Sequence, residues 1–255
     1  MVSFAAESHA ATTISVNFNG RAHDPSFANF ATYPGDNLTA GETAGLVPAR
    51  NWNNITNGNN NANTSGNLND SAGAPTGVTM AWTSNDSWNT GNALPLPAWS
   101  TGDEHMSFGV IKAAFTVGET GTLSFLGLPA QGFTFSLYAY TTVNNPNNGL
   151  ALTVNDDANQ GRYYTQAQGL KSSWTDEGTN TTPGVFTDTG DHAIFNGTKS
   201  SGNLVLSFRY ANAGANADGV GITGVQLIYT AVPEPSSLLM GGLALMGFAQ
   251  RRRRA

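Results

Sequence analysis

The sequence predicts an all-β fold: a jelly-roll-like β-sandwich with long Asn/Gly-rich loops, plus a short C-terminal apolar helix. Three observations lead there. Only 11% of the 255 residues are charged, against about a quarter in an ordinary soluble protein, so there is little of the Glu, Lys and Arg that surface helices use. Their place is taken by Asn, Thr, Ser and 30 glycines, the residues of turns and solvent-facing strand positions. Period-two alternation recurs along the second half of the chain, and no stretch shows a convincing helical period. Apolar residues, at 39%, suffice for a core.

Taken in chain order, residues 1–12 read as the remnant of a signal-peptide region. Ser8-His9-Ala10 fits a small-x-small cleavage site, although the basic and apolar stretches expected before it are missing, as if the start were truncated or misplaced. The sandwich domain is expected over residues 13–230. Its strands are expected at residues 13–18, 78–83, 106–117 and 150–155, and at 162–166. The clearest alternation lies in Leu123-Ser124-Phe125, in Phe133, Phe135, Leu137 and Ala139, in Leu204, Leu206 and Phe208, and in Val225, Leu227 and Tyr229. Turn chemistry separates these runs, for example Gly127-Leu128-Pro129 and Asn212-Ala213-Gly214. Residues 51–73, rich in Asn, Gly, Thr and Ser, read as one long loop unable to order itself by apolar burial, with Trp52 and Ile55 pinning its entry.

The chemistry legible in the body is sparse. With no cysteine there is no disulfide framework, thiolate zinc site or thiol nucleophile. The net charge is −6. With Arg251, Arg252, Arg253, Arg254 and Glu234 set aside, 7 basic and 16 acidic residues remain. Such a body repels phosphate backbones, so no nucleic acid is expected as a partner. Asp103-Glu104-His105 is the densest polar cluster, but neighbours on an extended chain face opposite ways, so a solvated turn is the expectation. Asp156-Asp157 and Asp176-Glu177 read the same way. Asp188 and Asp191 are the candidate metal ligands, for calcium; no other cofactor is expected. His9, His23, His105 and His192 are scattered and read as surface or turn residues. No nucleophile elbow, zinc helix, P-loop or dinucleotide fingerprint occurs, so no catalytic residue is expected. Among Trp82, Trp88 and Trp99, the candidates for stacking on sugar rings are Trp88 and Trp99. The rival reading makes Trp82 core and Trp88 a loop staple.

Residues 231–255 carry the sharpest signal. Val232-Pro233-Glu234-Pro235 is an extended handle, residues 236–250 are uncharged and largely apolar, and Arg251 to Arg254 form a positive stop. A helix over the 15 apolar residues is ~22 Å long, short of ~30 Å of hydrocarbon. The rival reading is a buried C-terminal helix with a solvated basic tail. All three parts, in this order, resemble the PEP-CTERM sorting signal of the bacterial exosortase system. That resemblance implies a transient partner, the membrane-embedded exosortase, and a stay in the inner membrane before processing. Tail removal and delivery to the cell surface or extracellular matrix would follow. Residues 122–140 and 221–229 are similar to jelly-roll domains of exosortase substrates, which look like galactose-binding and carbohydrate-binding sandwiches. The leading expectation is an exported, non-enzymatic surface or matrix protein. The alternative is a carbohydrate-binding module whose partner is an exopolysaccharide of the matrix; a glycoside hydrolase or lyase ranks lower.

Overall fold

The computed structural model describes residues 10–19, 37–55, 63–89, 99–113, 116–143, 148–155, 157–212 and 219–232. The first strands are β1 (Thr12–Phe18), β2 (Asn53–Ile55), β3 (Asn63–Thr64), β4 (Thr79–Thr83) and β5 (Asp86–Asn89). A short helix, α1 (Gly102–Met106), precedes β6 (Gly109–Ala113), β7 (Thr120–Leu126), β8 (Phe133–Tyr140) and β9 (Thr142–Val143). Then come β10 (Gly149–Val154), β11 (Asp157–Gln168), β12 (Thr189–Gly190) and β13 (His192–Lys199). The last strands are β14 (Leu204–Asn212), β15 (Val220–Ile222) and β16 (Gly224–Ala231).

Two large sheets form the sandwich. The smaller runs β13-β8-β16-β1-β2; the larger runs β12-β11-β10-β14-β7-β4-β3, with β9 added beside β11. A third, small sheet β15-β6-β5 lies beside them. The period-two pattern explains the packing. In β8, Phe133, Phe135, Leu137 and Ala139 turn inward and are buried, as are Leu204, Leu206 and Phe208 of β14. With Ile14, Val16, Leu123, Phe125, Leu150 and Leu152 they make one continuous core between the sheets. Gly121 of β7 is part of that fit, because a Cβ there would collide with the ring of Phe208. The fold is the all-β sandwich that the alternation predicts.

A second apolar layer covers the outer side of the smaller sheet. Leu38, Ala44, Trp52, Met106 and Trp174 pack over Tyr140, with the rings of Tyr140 and Trp174 4.7 Å apart. Burial pushes the Tyr140 phenol far above its usual range, so it is neutral. It accepts from Leu46 N–H (2.8 Å) and donates to Gln226 Oε1.

Three expectations need correction. Residues 51–73 are not one unordered loop: β2 and β3 lie within them, and Ile55 and Leu68 are buried. Side-chain amides add to that burial, since Asn53 Nδ2 donates to Ser15 O and Asn69 O, each at 2.9 Å. Residues 56–62 lie outside the described residues. Within the expected strand at 106–117, Met106 ends α1 and only Gly109–Ala113 is strand, as β6; residues 114–115 lie outside the described residues. Strand β13 was not expected, because Asn196 and Gly197 interrupt its pattern. The expected C-terminal helix falls outside the described residues.

Leu206 sits between Leu123 of β7 and Val154 of β10 in the ladder and is fully buried. Leu206→Ala should cost about 2–5 kcal/mol, whereas Ser124→Ala on the outer face should stay within about 0.5 kcal/mol. Urea unfolding of the two variants checks the contrast.

Candidate functional site

The outer face of the larger sheet carries a groove of about 370 Å³. Its floor follows from strand register. Thr120, Arg209, Ala151 and Tyr163 form one row across β7, β14, β10 and β11, and Ser207 and Thr153 form the next. Successive residues on each strand alternate faces, so these point away from the core while Leu150, Leu152 and Phe208 point into it. Small Ala151 between Arg209 and Tyr163 leaves the hollow. One wall is the loop bearing Pro183, Gly184 and Phe186.

That loop is held firmly on β11. Tyr163 N–H donates to Asn180 O (2.9 Å), and Thr165 donates through both N–H and Oγ1 to Asp188 O (2.8 Å each). Inside the loop, Asn180 Nδ2 donates to Val185 O (2.6 Å) and its Oδ1 accepts from Thr182 N–H (2.9 Å). The Phe186 ring meets Tyr163 edge-on, centroids 6.4 Å apart at 71°, and lies over Gly149, where a Cβ would collide with it. Arg209 is exposed and forms no ion pair among the described residues. Sequence reading did not pick out these groove residues. The alternation of β14 turns Ser207 and Arg209 outward, but nothing local says what lies beside them.

The candidate metal ligands sit differently from one another. The Asp191 carboxylate is fully buried and spoken for by protein donors. Its Oδ1 pairs with His192 Nδ1 (2.7 Å) and accepts from Asp176 N–H (3.3 Å). Its Oδ2 lies 3.5 Å from Lys171 Nζ and accepts from Thr175 N–H (3.4 Å). Asp188 is half-buried and uses its backbone carbonyl to hold Thr165. Among the described residues no group of three or more His, Asp or Glu is placed to hold a metal ion.

Two of the four histidines overturn the surface reading. His105 and His192 are each 4% exposed. His192 lies against Asp191, and His105 Nδ1 pairs with Glu42 Oε1 at 2.8 Å. Asp103-Glu104-His105 is no extended turn but the body of α1, N-capped by Thr101, whose Oγ1 accepts from Glu104 N–H. The helix points the three side chains to different partners. Asp103 Oδ1 accepts from Gly45 N–H (2.6 Å) and Trp174 Nε1 (2.9 Å), while Glu104 accepts from Ser100. Asp157 Oδ1 accepts from Asn159, and Asp176 is exposed.

The tryptophans are not gathered. Trp82 is buried in the main core. Trp99 is half-buried, stacked on His105 at 4.9 Å and tilted against Phe108, in a separate cluster. Of Trp88 only the backbone, in β5, is described. Of the sorting motif, Val232 is described: its N–H donates to Gly132 O at 3.0 Å, just past the end of β16. Pro233, Glu234, Pro235 and Arg251 to Arg254 lie outside the described residues, as do His9 and His23. No helix among the described residues is long and apolar enough to cross a membrane.

Fold and tail together define a two-sheet β-sandwich that runs directly into an export address. The family model for the PEP-CTERM protein-sorting motif matches residues 231–254, so the chain carries that motif. No curated protein matches the chain. Among solved structures, it is similar to Xyl-CBM35, solved in complex with a disaccharide containing glucuronic acid. Identity is 12% over 49% of this chain and 80% of that one, with a TM-score of 0.27. It is also similar to an exo-β-1,3-galactanase from Phanerochaete chrysosporium, solved with β-1,3-galactotriose and with galactose. Identity is 12%, covering 63% of this chain but 36% of that one, with TM-scores of 0.24 and 0.23. These likenesses are too remote to transfer a ligand or an activity.

The Glu42–His105 pair makes a pH prediction. Burial raises the Glu42 carboxyl, but the hydrogen bonds from His105 and Thr39 outweigh it and hold it below the usual carboxylate value. A depressed carboxyl stabilises the fold above its unfolded pKa, and the benefit fades as pH falls through the lower folded value. Glu42→Gln should therefore lower the urea midpoint at pH 7, and the gap to wild type should close on acidification below the carboxylate range. A gap that stays constant with pH would show that the carboxylate charge plays no part.

Proposed function

We propose that this is an exported, non-enzymatic protein of the cell surface or extracellular matrix, held in the inner membrane by its tail during sorting and released by exosortase. The observation that carries the reading is the sorting motif at residues 231–254, which begins where β16 ends. The body is hydrogen-bonded through Val232, so a cut close to Pro235 leaves every described strand intact. The apolar run suits a temporary stop. A helix over residues 236–250 falls ~8 Å short of the hydrocarbon thickness, and Gly241, Gly242 and Gly247 each weaken it by about 1 kcal/mol relative to Ala.

A non-enzymatic role is supported by where the two histidine–carboxylate pairs lie. The Asp191–His192 pair is enclosed in the protein, away from any surface a polysaccharide could reach. His105 is covered by Trp99 and tied to Glu42. Both pairs anchor segments of chain to the sandwich.

Expressed in a host with its exosortase, the wild-type chain should yield a mature species lacking Arg251 to Arg254, and Glu234→Ala should remain uncut and membrane-associated. Top-down mass spectrometry of surface and matrix fractions reads both. Identical mass and location for the two chains, or a dominant wild-type species still ending at Ala255, overturns the reading.

A further inference from the structure

The groove on the larger sheet has no part in sorting, yet it is a built surface. We propose that it binds a carboxylate-bearing sugar unit of an acidic polysaccharide, with Arg209 taking the carboxylate and the Phe186–Tyr163 wall taking the apolar face of the ring. This reading is independent of the sorting tail, because it concerns the body wherever it is delivered.

Charge comes first. Outside the tail the chain has 7 basic residues against 16 acidic ones, and Arg209 is the one placed in the lining of the groove. Arg209 is exposed in the groove and pairs with none of the described carboxylates. A guanidinium presents a planar fork of donors that matches a carboxylate through two parallel hydrogen bonds, which a lysine cannot do. The surrounding acidic body disfavours a polyphosphate ligand of high charge density. A sugar acid brings one charge per ring, in keeping with a single arginine.

The remaining lining matches a sugar. Thr120, Thr153 and Ser207 stand around Arg209 in the two rows of the floor. Hydroxyls both donate and accept, as sugar hydroxyls require. Phe186 and Tyr163 supply an aromatic wall on one side. A cavity of about 370 Å³ lies within the ~300–1,000 Å³ typical of small-ligand sites. The wall is also preformed. The loop carrying Phe186 is bonded to β11 at Tyr163 and Thr165, and closed on itself by Asn180. Little ordering is left to be done on binding.

The test uses the full chain in mild detergent and titration calorimetry with tetragalacturonate, tetramannuronate and neutral cellotetraose. At least one acidic oligomer should bind, and cellotetraose should not. Arg209→Gln should weaken binding by at least about tenfold, the loss of a charged hydrogen-bonded pair. Thr153→Phe, which fills the floor from an outward position, should abolish it. Arg50→Gln, which removes an exposed cation elsewhere, should leave it unchanged. Equal melting temperatures for the variants exclude unfolding as the cause. Binding of neither acidic oligomer, binding undiminished in Arg209→Gln, or equal binding of cellotetraose each overturns the proposal.

Discussion

The placement of β16 between β8 and β1 is the constraint on which the rest of the structure depends. The last strand of the domain is an interior strand, with Val225 and Leu227 buried in the core and Gln226 buried on the other side. A buried amide must have its donors and acceptor paired, or it costs the fold about 1–3 kcal/mol. Gln226 uses both ends: Nε2 donates to Ser15 Oγ (3.1 Å) and Val47 O (2.9 Å), and Oε1 accepts from Tyr140. Those bonds pin the segment around residues 44–49 to the sheet. Gly45 (φ +91°) lies so close over Gln226 that no Cβ would fit. The N-terminal strand, this segment and the layer around Trp52 and Trp174 therefore all rest on the end of the chain. The export address begins at that same end, without a spacer.

Completion of the fold and presentation of the tail are thus joined at one point. The domain cannot close its smaller sheet until β16 is in place, and Val232, the next residue, is already part of the sorting motif. A processed product keeps the whole ladder.

The two sheets also face the outside differently. The smaller is covered by a second apolar layer, whereas the larger presents rows of Thr, Ser and Ala. Its edges are the two-residue strands β12 and β3, and short edges give little template for pairing with another chain.

The sequence by itself determined the fold class and the export tail. The alternation of β8 makes it legible, because Phe133, Phe135, Leu137 and Ala139 recur at every second position and a one-residue slip would take all of them out of the main core. The tail is legible because its handle, apolar run and arginines are contiguous and act through their order alone. Only the tertiary structure decided the rest. His105 and His192 became buried partners of Glu42 and Asp191 because charges far apart or adjacent in sequence were enclosed by other elements. Residues 63–70 became ordered because β3 pairs with β4, Leu68 enters the core, and Asn53 bridges to Ser15 and Asn69, partners distant in sequence. The groove exists because register aligns Thr120, Arg209, Ala151 and Tyr163 across four strands. Register between distant strands is fixed by the packing of the whole core, and no local run of residues carries it.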